Sequence, residues 1–354
     1  MKDLEFPIIG TKVKGLNKKF DLNNPKERLK YFEAKVSSEI EQLKKYLETG
    51  TFVAYMLGKK NSGKGTYSQI FTEIFGDKKV ELVSVGDLVR NTHANWDSFK
   101  KSEDFKKLRS LYRGYISFDE AVDSLLGRST SGLLPTEFIL ALLKLHIEKI
   151  PNKALFIDGL PRETDQVSYS LYFRDLIAYR NDPDFFVLID IPEKVIDERI
   201  KFRVVCPECR NTRNTKLLPT SKVKYDTKTK EFYLVCDSPR CKGGFRMVGK
   251  EGDDLGIDPI RGRLVKDEEI LKQAFSLHGI PKVLLRNHVP VSKAEENFDK
   301  YEVTPEYSYK LEGGKVKVVE KPWTFKDDNG VDSVSLLAAP VVVSMIKQIA
   351  DILG

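Results

Sequence analysis

The feature that most constrains this chain is a glycine-rich loop, Gly58-Lys59-Lys60-Asn61-Ser62-Gly63-Lys64-Gly65-Thr66. It follows an apolar run, residues 51–57, that is typical of a buried strand, and it precedes a helix predicted to begin at Lys64. In that context backbone N–H groups converge on phosphate oxygens, the helix N-terminus adds partial positive charge, and the lysine reaches the terminal phosphates. The sequence therefore predicts a phosphate-binding loop, with candidate residues Gly58, Ser62, Gly63, Lys64, Gly65 and Thr66.

Short apolar runs alternate with helical segments after this loop. Further strands are predicted at 80–84, 154–158 and 185–190, and helices at 135–150 and 193–202. Buried strands that alternate with helices indicate a parallel sheet covered on both faces. The expected fold class is therefore α/β, with three layers. A length of 354 residues suggests two domains, or one core with insertions.

Several segments interrupt or extend the alternation. Residues 91–131 are charged and predicted helical at 100–113 and 117–126, while 307–311 and 316–319 flank a turn and predict a β-hairpin. A closing helix is expected at roughly 334–353. No function is assigned to the 91–131 insertion from the sequence.

An N-terminal helix is predicted between Asn24, a suitable N-cap, and Gly50, a suitable stop. Its apolar residues recur at helical spacing and form one stripe, made of Leu29, Phe32, Val36, Ile40, Leu43 and Leu47. The stripe either docks on the body of the protein or forms a helical dimer contact. A monomer is expected, with a dimer through this helix as the alternative.

All four cysteines fall in one window, as C-x2-C and C-x4-C pairs made of Cys206, Cys209, Cys236 and Cys241. Two close pairs in a chain of this size predict a metal site rather than a disulfide scaffold. Four thiolates would fill all four coordination positions of a zinc ion, which indicates a structural site. The ion would hold together a ribbon of strands predicted at 222–225 and 231–235. Four reduced thiols without metal are the alternative.

Composition excludes some classes of function. The net charge of +7 suits a protein that handles polyanions, but does not choose among nucleotides, nucleic acids and phosphosugars. No HExxH pair is present, which excludes a zincin protease. No apolar run approaches the roughly 18 residues of a membrane span, and residues 1–5 lack the layout of a secretory signal, so a cytoplasmic protein without membrane contact is expected.

Five segments, in order, resemble the adenylate kinase family of nucleoside monophosphate kinases. They are the Gly63-Lys64-Gly65-Thr66 variant of the loop, Ser84-Val85-Gly86-Asp87-Leu88-Val89-Arg90, Gly132-Leu133-Leu134-Pro135-Thr136-Glu137, Asp158-Gly159-Leu160-Pro161-Arg162 followed by Gln166, and Arg199–Arg203 with Asp253-Asp254 and Arg263. The resemblance spans about residues 51–354. It implies a P-loop fold with an inserted helical acceptor domain and a zinc-ribbon lid, and the reaction of ATP with AMP, giving two ADP, with magnesium.

The resemblance also implies residue roles. Arg90 and Arg162 would grip the acceptor phosphate, while Lys64, Arg203 and Arg263 stabilise the transferred group. Arg199 would stack on the donor base, and Asp158 would serve the magnesium ion. The ATP site would then include Arg199 and Arg203 beside the loop, and the AMP site would consist of Val85, Arg90, Arg162, Gln166 and Arg263.

The identity of the acceptor base is not decided by these motifs. Gln166 carries both a donor and an acceptor and suits adenine, which the family reads with glutamine at this place. Val85 replaces the usual threonine and is similar to the small apolar residue of pyrimidine-specific relatives. AMP is the expected acceptor, with UMP, CMP and GMP as alternatives.

The implied domains are an N-terminal extension (1–50), a P-loop core (51–83, 136–203 and 263–354), an enlarged acceptor domain (84–135) and a zinc lid (204–262). One family position departs from the pattern, because Glu251 stands where an arginine is usual; Lys250, Arg246 or Arg261 could substitute. A Lys- and Arg-rich ribbon also fits a P-loop protein that binds nucleic acid. That alternative is not expected, since Tyr225, Phe232 and Tyr233 have predicted strand and core roles.

Overall fold

A computed structural model of the chain describes residues 4–127, 134–150, 152–164, 166–167, 182–238 and 241–354. The helices in these residues are α1 (Pro25–Thr49), α2 (Lys64–Phe75), α3 (Val85–Ala94), α4 (Trp96–Phe99), α5 (Glu103–Leu111), α6 (Phe118–Leu125), α7 (Thr136–Ile147), α8 (Glu193–Lys201), α9 (Arg261–Ser276), α10 (Val291–Asn297) and α11 (Ala338–Leu353). The strands are β1 (Val53–Gly58), β2 (Val80–Ser84), β3 (Ala154–Asp158), β4 (Asp184–Asp190), β5 (Arg203–Val205), β6 (Thr212–Asn214), β7 (Lys222–Asp226), β8 (Glu231–Val235), β9 (Val248–Gly249), β10 (Lys282–Arg286), β11 (His288–Pro290), β12 (Pro305–Glu312), β13 (Lys315–Pro322), β14 (Phe325–Lys326) and β15 (Asp332–Ser335).

The centre of the protein is a parallel sheet with strand order β10-β4-β1-β3-β2. The strands predicted from the apolar runs are confirmed, and β10 is an additional strand that the sequence patterns did not identify. Register places Asp158 beside Met56 of β1 on one side and beside Ser84 of β2 on the other. The carboxyl ends of these strands therefore bring the loop after β1 close to the segments that follow β2 and β3.

Alternate residues of the central strands pack into different cores, which creates three layers. In β1, Ala54 and Met56 join the core that contains α1, α2 and α11, whereas Val53, Tyr55 and Leu57 join the core on the opposite face. The opposite face is covered by α7 and α9, through side chains such as Leu143 and Leu271. The predicted α/β fold with a parallel sheet between helical layers is confirmed.

The segment between β2 and β3 has a helical core of its own. Leu108 of α5, Phe118 of α6 and Phe138 of α7 are buried together there. The helix predicted at 100–113 is shorter in the structure and is preceded by the separate turn of α4. Gly132 and Leu133 of the third motif lie outside the described residues.

The segment that carries the four cysteines, residues 203–249, is called the cysteine segment below. It forms two small sheets, β6-β5-β9 and β7-β8, and the hairpin β12-β13 lies against them. Tyr307 N–H donates to the Lys216 carbonyl over 2.7 Å, and the Tyr309 hydroxyl donates to the Thr215 carbonyl. The Tyr309 ring lies 5.7 Å from that of Phe232. The hairpin thus contacts the cysteine segment, which the sequence alone did not indicate.

Helix α1 has the predicted caps, with Asn24 accepting from the first-turn N–H groups and Gly50 N–H bonded to the Tyr46 carbonyl. Its stripe is buried in the same core as α11, except for Leu29, which is exposed. The expectation that Leu29 belongs to the buried stripe is therefore wrong. The stripe is covered within the chain, which removes the observation behind the dimer alternative.

The closing helix begins later than predicted. Residues 332–335 form β15, where Val334 pairs with Val289 of β11, and α11 starts at Ala338. Pro340 lies in the first turn of α11, where no intrahelical N–H bond is lost. In the described residues, no helix combines the length and the hydropathy that a membrane crossing requires.

We expect Leu43→Ala in α1 to lower the free energy of unfolding by about 2–5 kcal/mol, because a fully buried leucine leaves a cavity. Leu29→Ala in the same helix is the matched control, since Leu29 is 39% exposed; its change should stay within about 0.5 kcal/mol. Urea unfolding followed by circular dichroism measures both. Equal losses for the two variants would contradict the packing of α1 on the core.

Candidate active site

The phosphate loop joins the end of β1 to the start of α2, and two of its glycines are required for different reasons. Gly63 caps α2 with φ at 106°, a left-handed conformation that glycine adopts without strain. At Gly58, an added Cβ would lie 2.5 Å from Ser62 Oγ and 3.2 Å from Ile189 Cβ, so a larger residue would force Ser62 to shift. Gly65 faces open space and Thr66 is exposed. The loop therefore has the strand, glycine and helix context expected of a phosphate cradle.

Lys64 lies across this loop. Its ammonium donates to the Gly58 carbonyl over 2.9 Å and lies 3.9 Å from Asp158 Oδ1 at the end of β3. Burial lowers the pKa of Lys64, and the Arg263 and Arg162 guanidiniums act in the same direction, against the Asp158 and Asp267 carboxylates. Lys64 is thus surrounded by both cations and carboxylates. A bound anion would add negative charge beside it and favour its protonated form.

A cavity of about 420 Å³ opens above the loop, at the carboxyl ends of the central strands. Ligands of parallel α/β sheets bind at this end. Four cations and two carboxylates line the cavity: Lys60, Lys64, Arg162, Arg263, Asp158 and Asp267. The excess of positive charge and the partly open shape suit a phosphorylated ligand.

The second motif lies beside Arg162, a residue that lines the cavity, through Gly86 in the first turn of α3. A Cβ at Gly86 would lie 2.9 Å from Arg162 and 3.2 Å from Arg90, so the glycine lets two guanidiniums approach the same backbone. Arg90 is paired with Asp87 at 2.5 Å on an exposed surface. The Nε of Arg162 is buried and has no hydrogen-bond partner among the residues that the structure describes. Burial, followed by the Arg263 charge, lowers the pKa of Arg162. An anion bound here would give Arg162 the acceptor that it lacks.

Gln166 is buried, and both ends of its amide are used within the protein. Its Oε1 accepts from the Arg162 backbone N–H over 2.7 Å, and its Nε2 donates to Thr136 Oγ1 over 2.7 Å. Gln166 therefore holds the loop that carries Arg162 against the start of α7. Val85 is also buried. The contact of either residue with an acceptor base stays a prediction.

The three remaining predicted arginines occupy different places. Arg263 lines the cavity, and its Nε donates to Asp267 over 2.7 Å. Arg199 donates to the Asn61 and Ser62 carbonyls over 3.2 and 3.4 Å, so it supports the loop in the described structure, and its stacking on a base stays a prediction. Arg203 makes two 2.6 Å bonds to Asp253 and is held in the cysteine segment rather than at the cavity.

Asp267 was not identified from the sequence, although it connects several parts of the site. Its Oδ2 accepts the Lys60 backbone N–H over 2.8 Å, and its Oδ1 accepts from Arg263. The signal was available as a spacing of four residues from Arg263, which places the two side chains on one face of α9. The contact with the loop depends on the tertiary fold.

The surroundings of Glu251 differ from those of Arg246 and Arg261, two of its proposed substitutes. Glu251 and Lys250 are exposed. Arg246 pairs with Asp226 at 2.8 Å and stacks on Tyr233, while Arg261 pairs with Asp258 at 2.8 Å. Two of the three substitutes are therefore already engaged in the cysteine segment or beside it.

The four cysteines come together as predicted, with all four sulfur atoms within 4.8 Å of one another. Cys206 Sγ lies 3.8 Å from Cys241 Sγ, and Cys209 Sγ lies 3.6 Å from Cys236 Sγ. Sulfur atoms about 2.3 Å from a tetrahedral zinc ion are separated by similar distances. The arrangement can hold a four-coordinate metal.

Comparison with known proteins gives several relatives. "Adenylate kinase" of Thermotoga petrophila is 30% identical over 173 residues, which are 47% of this chain and 66% of the relative. "Adenylate kinase" of Kosmotoga olearia is 30% identical over 200 residues, 56% of this chain and 74% of the relative. "Probable UMP-CMP kinase 2" of Arabidopsis thaliana is 25% identical over 170 residues, 48% and 54% respectively. No protein-family model matches the chain.

The central parallel sheet, the glycine loop after its middle strand and the cation-lined cavity define a P-loop protein. At 30% identity, with three quarters of the Kosmotoga relative covered, the chain belongs to the adenylate kinase family. It spans just under two thirds of the length of the Thermotoga relatives that it matches.

We expect Gly58→Ala to lower the free energy of unfolding by about 1–3 kcal/mol, because the new methyl group overpacks against Ser62. Gly65→Ala is the matched control, since its Cβ would meet open space and its stability should be unchanged or rise by about 0.5–1 kcal/mol. Urea unfolding of both variants tests this. A loss at Gly65 as large as at Gly58 would show that the loop is built differently.

Proposed function

We propose that the protein is a nucleoside monophosphate kinase, which transfers the terminal phosphoryl group of ATP to a nucleoside monophosphate. The observation that carries the proposal is the convergence of Lys64, Arg162 and Arg263 around one cavity above the phosphate loop. Arg90 lies beside Arg162 at the edge of the acceptor segment. The names of the relatives support the same activity.

The proposed reaction is a direct transfer. An oxygen of the acceptor phosphate forms a bond to the terminal phosphorus of ATP. The bond from that phosphorus to its bridging oxygen breaks, and the electron pair leaves with ADP. Such transfers depend on positioning and on neutralisation of charge, so no nucleophilic side chain is needed.

The cations of the cleft divide between the two substrates. Lys64 and the loop N–H groups bind the phosphates of the donor, and the planar guanidiniums of Arg162 and Arg90 suit the acceptor phosphate. Arg263 lies on the α9 side of the cavity, where it would face the transferred phosphoryl group. Arg203, held by Asp253, would approach only when the cysteine segment closes over the cleft.

A magnesium ion fits the donor side of this site. The carboxylate of Asp158 stands near Lys64 at the end of β3, and carboxylate oxygens are hard ligands of the kind that magnesium prefers. When bound with ATP, the ion supplies charge neutralisation and orientation of the phosphates. Asp158 would hold the ion, or a water molecule bound to it, beside Lys64.

We propose AMP as the acceptor, in line with the relatives named adenylate kinase. A pyrimidine monophosphate is the second candidate, because the amide of Gln166 is occupied by Arg162 N–H and Thr136 and because Val85 offers the base an apolar contact. For Gln166 to read adenine, these internal bonds must rearrange on binding. The Arabidopsis relative named as a UMP-CMP kinase fits the second candidate.

We propose that the four cysteines bind one structural zinc ion, which organises the lid. Their sulfur separations match tetrahedral thiolate coordination. Besides the cysteines, the buried members of the apolar cluster around them are Leu234 and Met247, so a metal would add to a small core. The rings of Tyr225 and Phe232 contact each other in a tilted arrangement with centroids 4.9 Å apart, a structural use of the aromatic side chains. This contact supports the proposal of a lid rather than a nucleic-acid platform.

The function is tested by incubating the protein with magnesium and ATP and, in separate reactions, AMP, GMP, UMP or CMP, and by following diphosphate formation. We expect AMP to be used, and Lys64→Ala to lower turnover about 10²–10³-fold through the loss of charge stabilisation. Lys78→Ala, at an exposed lysine, is the matched control and should keep full activity.

The outcomes separate the alternatives. Preference for UMP or CMP would replace AMP by the pyrimidine candidate. Failure of all four acceptors with ATP bound would contradict the kinase proposal and favour a nucleotide-binding protein.

The zinc proposal predicts about one zinc ion per purified chain and loss of that ion in Cys236→Ser. Removal of zinc by a chelator should expose the segment 204–262 to limited proteolysis, because the ribbon depends on the metal for its folding. Ser238→Ala, in the same loop, is the control and should retain the ion. A chain that contains no zinc and resists proteolysis equally before and after chelation would support the reduced-thiol alternative.

A further inference from the structure

Lys59, the second residue of the phosphate loop, points away from the cavity and is buried, with 2% of its side chain exposed. Its ammonium lies 2.9 Å from Glu268, 3.3 Å from Glu193 and 3.5 Å from Asp328. Burial by itself lowers the pKa of Lys59, but the three carboxylates outweigh it and raise the pKa above its ordinary value. The side chain is therefore a buried cation with a full set of counter-charges.

The three carboxylates come from elements that are separate in the chain. Glu193 begins α8, Glu268 lies in the middle of α9, and Asp328 lies in the turn between β14 and β15. Asp328 also accepts the backbone N–H of Glu193 over 2.9 Å, which joins two of the three elements. Lys59 thus ties the loop to the two helices beside it and to a turn near the end of the chain.

The backbone of Lys59 reaches the other side of the loop. Its carbonyl accepts the Ser62 N–H over 3.0 Å and is 3.5 Å from the ammonium of Lys64. The next residue, Lys60, is fixed through its N–H by Asp267. Any displacement of Lys59 therefore moves a carbonyl against which Lys64 is positioned.

We propose that Lys59 is a positioning residue, which fixes the phosphate loop and the Lys64 ammonium for ATP through its ion pairs with Glu193, Glu268 and Asp328. This inference rests on the proposed function for the identity of the nucleotide. A displacement of about 1 Å at a site of this kind changes binding or turnover by up to about 10²-fold. The turn that carries Asp328 lies outside the cavity. Through its ion pair with Lys59 it would nevertheless help to set the position of the phosphate loop.

A matched control is available in Lys35, the other buried lysine that is paired with carboxylates in the described residues. Its ammonium lies 2.7 Å from Asp299 and 3.6 Å from Glu302, between α1 and the segment before β12. Loss of either buried cation removes the counter-charge that these carboxylates share and lowers stability. Only loss of Lys59 should also displace the phosphate loop.

The experiment compares Lys59→Met and Lys35→Met with the unmodified protein. Equilibrium titration with magnesium-ATP is run well below the melting temperature of each variant. We expect both variants to melt earlier and Lys59→Met alone to bind ATP about tenfold more weakly, through displacement of the loop. In steady-state assays the KM for ATP should rise while the KM for the monophosphate stays unchanged.

Glu268→Gln keeps the shape of the nearest partner and removes one charge, so it tests the idea if Lys59→Met does not fold. It should weaken ATP binding about threefold, because two carboxylates remain on Lys59. Equal ATP affinity for the unmodified protein, Lys59→Met and Glu268→Gln, or equal loss in Lys59→Met and Lys35→Met, would overturn the inference. ATP binding without transfer to any acceptor would overturn the proposed kinase activity and leave the Lys59 comparison valid.

Discussion

Lys64, Arg162 and Arg263 surround one half-buried cavity, where burial and mutual repulsion both oppose keeping three cations together. The fold compensates with carboxylates placed at the edge of the cleft. Asp267 bonds Arg263 and the loop backbone, and Asp158 stands opposite Lys64. These carboxylates hold the cations without filling the cavity. A bound phosphate can therefore still supply further negative charge to the three cations.

The parts added around the P-loop core are joined to it by buried polar contacts. Glu302 is fully buried and accepts hydrogen bonds from Thr11 and from Tyr31 of α1, beside the pair of Lys35 with Asp299. The N-terminal extension is therefore fixed to the segment that leads into the hairpin β12-β13. Because that hairpin also bonds to the cysteine segment, a chain of contacts runs from α1 through the segment before β12 to the cysteine segment.

Much of the fold could be predicted from the sequence, because the relevant signals are local. Apolar runs predicted four strands of the sheet, Asn24 and Gly50 predicted the ends of α1, and the cysteine spacing predicted one cluster. Strand β10 was missed because it is short and has charged residues at both ends. Residues 334 and 335 were predicted to begin the closing helix, although pairing with β11 makes them part of strand β15.

The sequence by itself determined where the phosphate loop lies and which cysteines meet, since each shows in the spacing of its residues along the chain. Only the tertiary structure decided the partners of the polar side chains. It placed Lys59 among carboxylates 134, 269 and about 209 residues away, and it turned the Gln166 amide toward Arg162 and Thr136 rather than into the cavity. The physical reason is that strand and helix patterns arise from neighbouring residues, whereas the pairing of a buried charge depends on which distant segments pack around it.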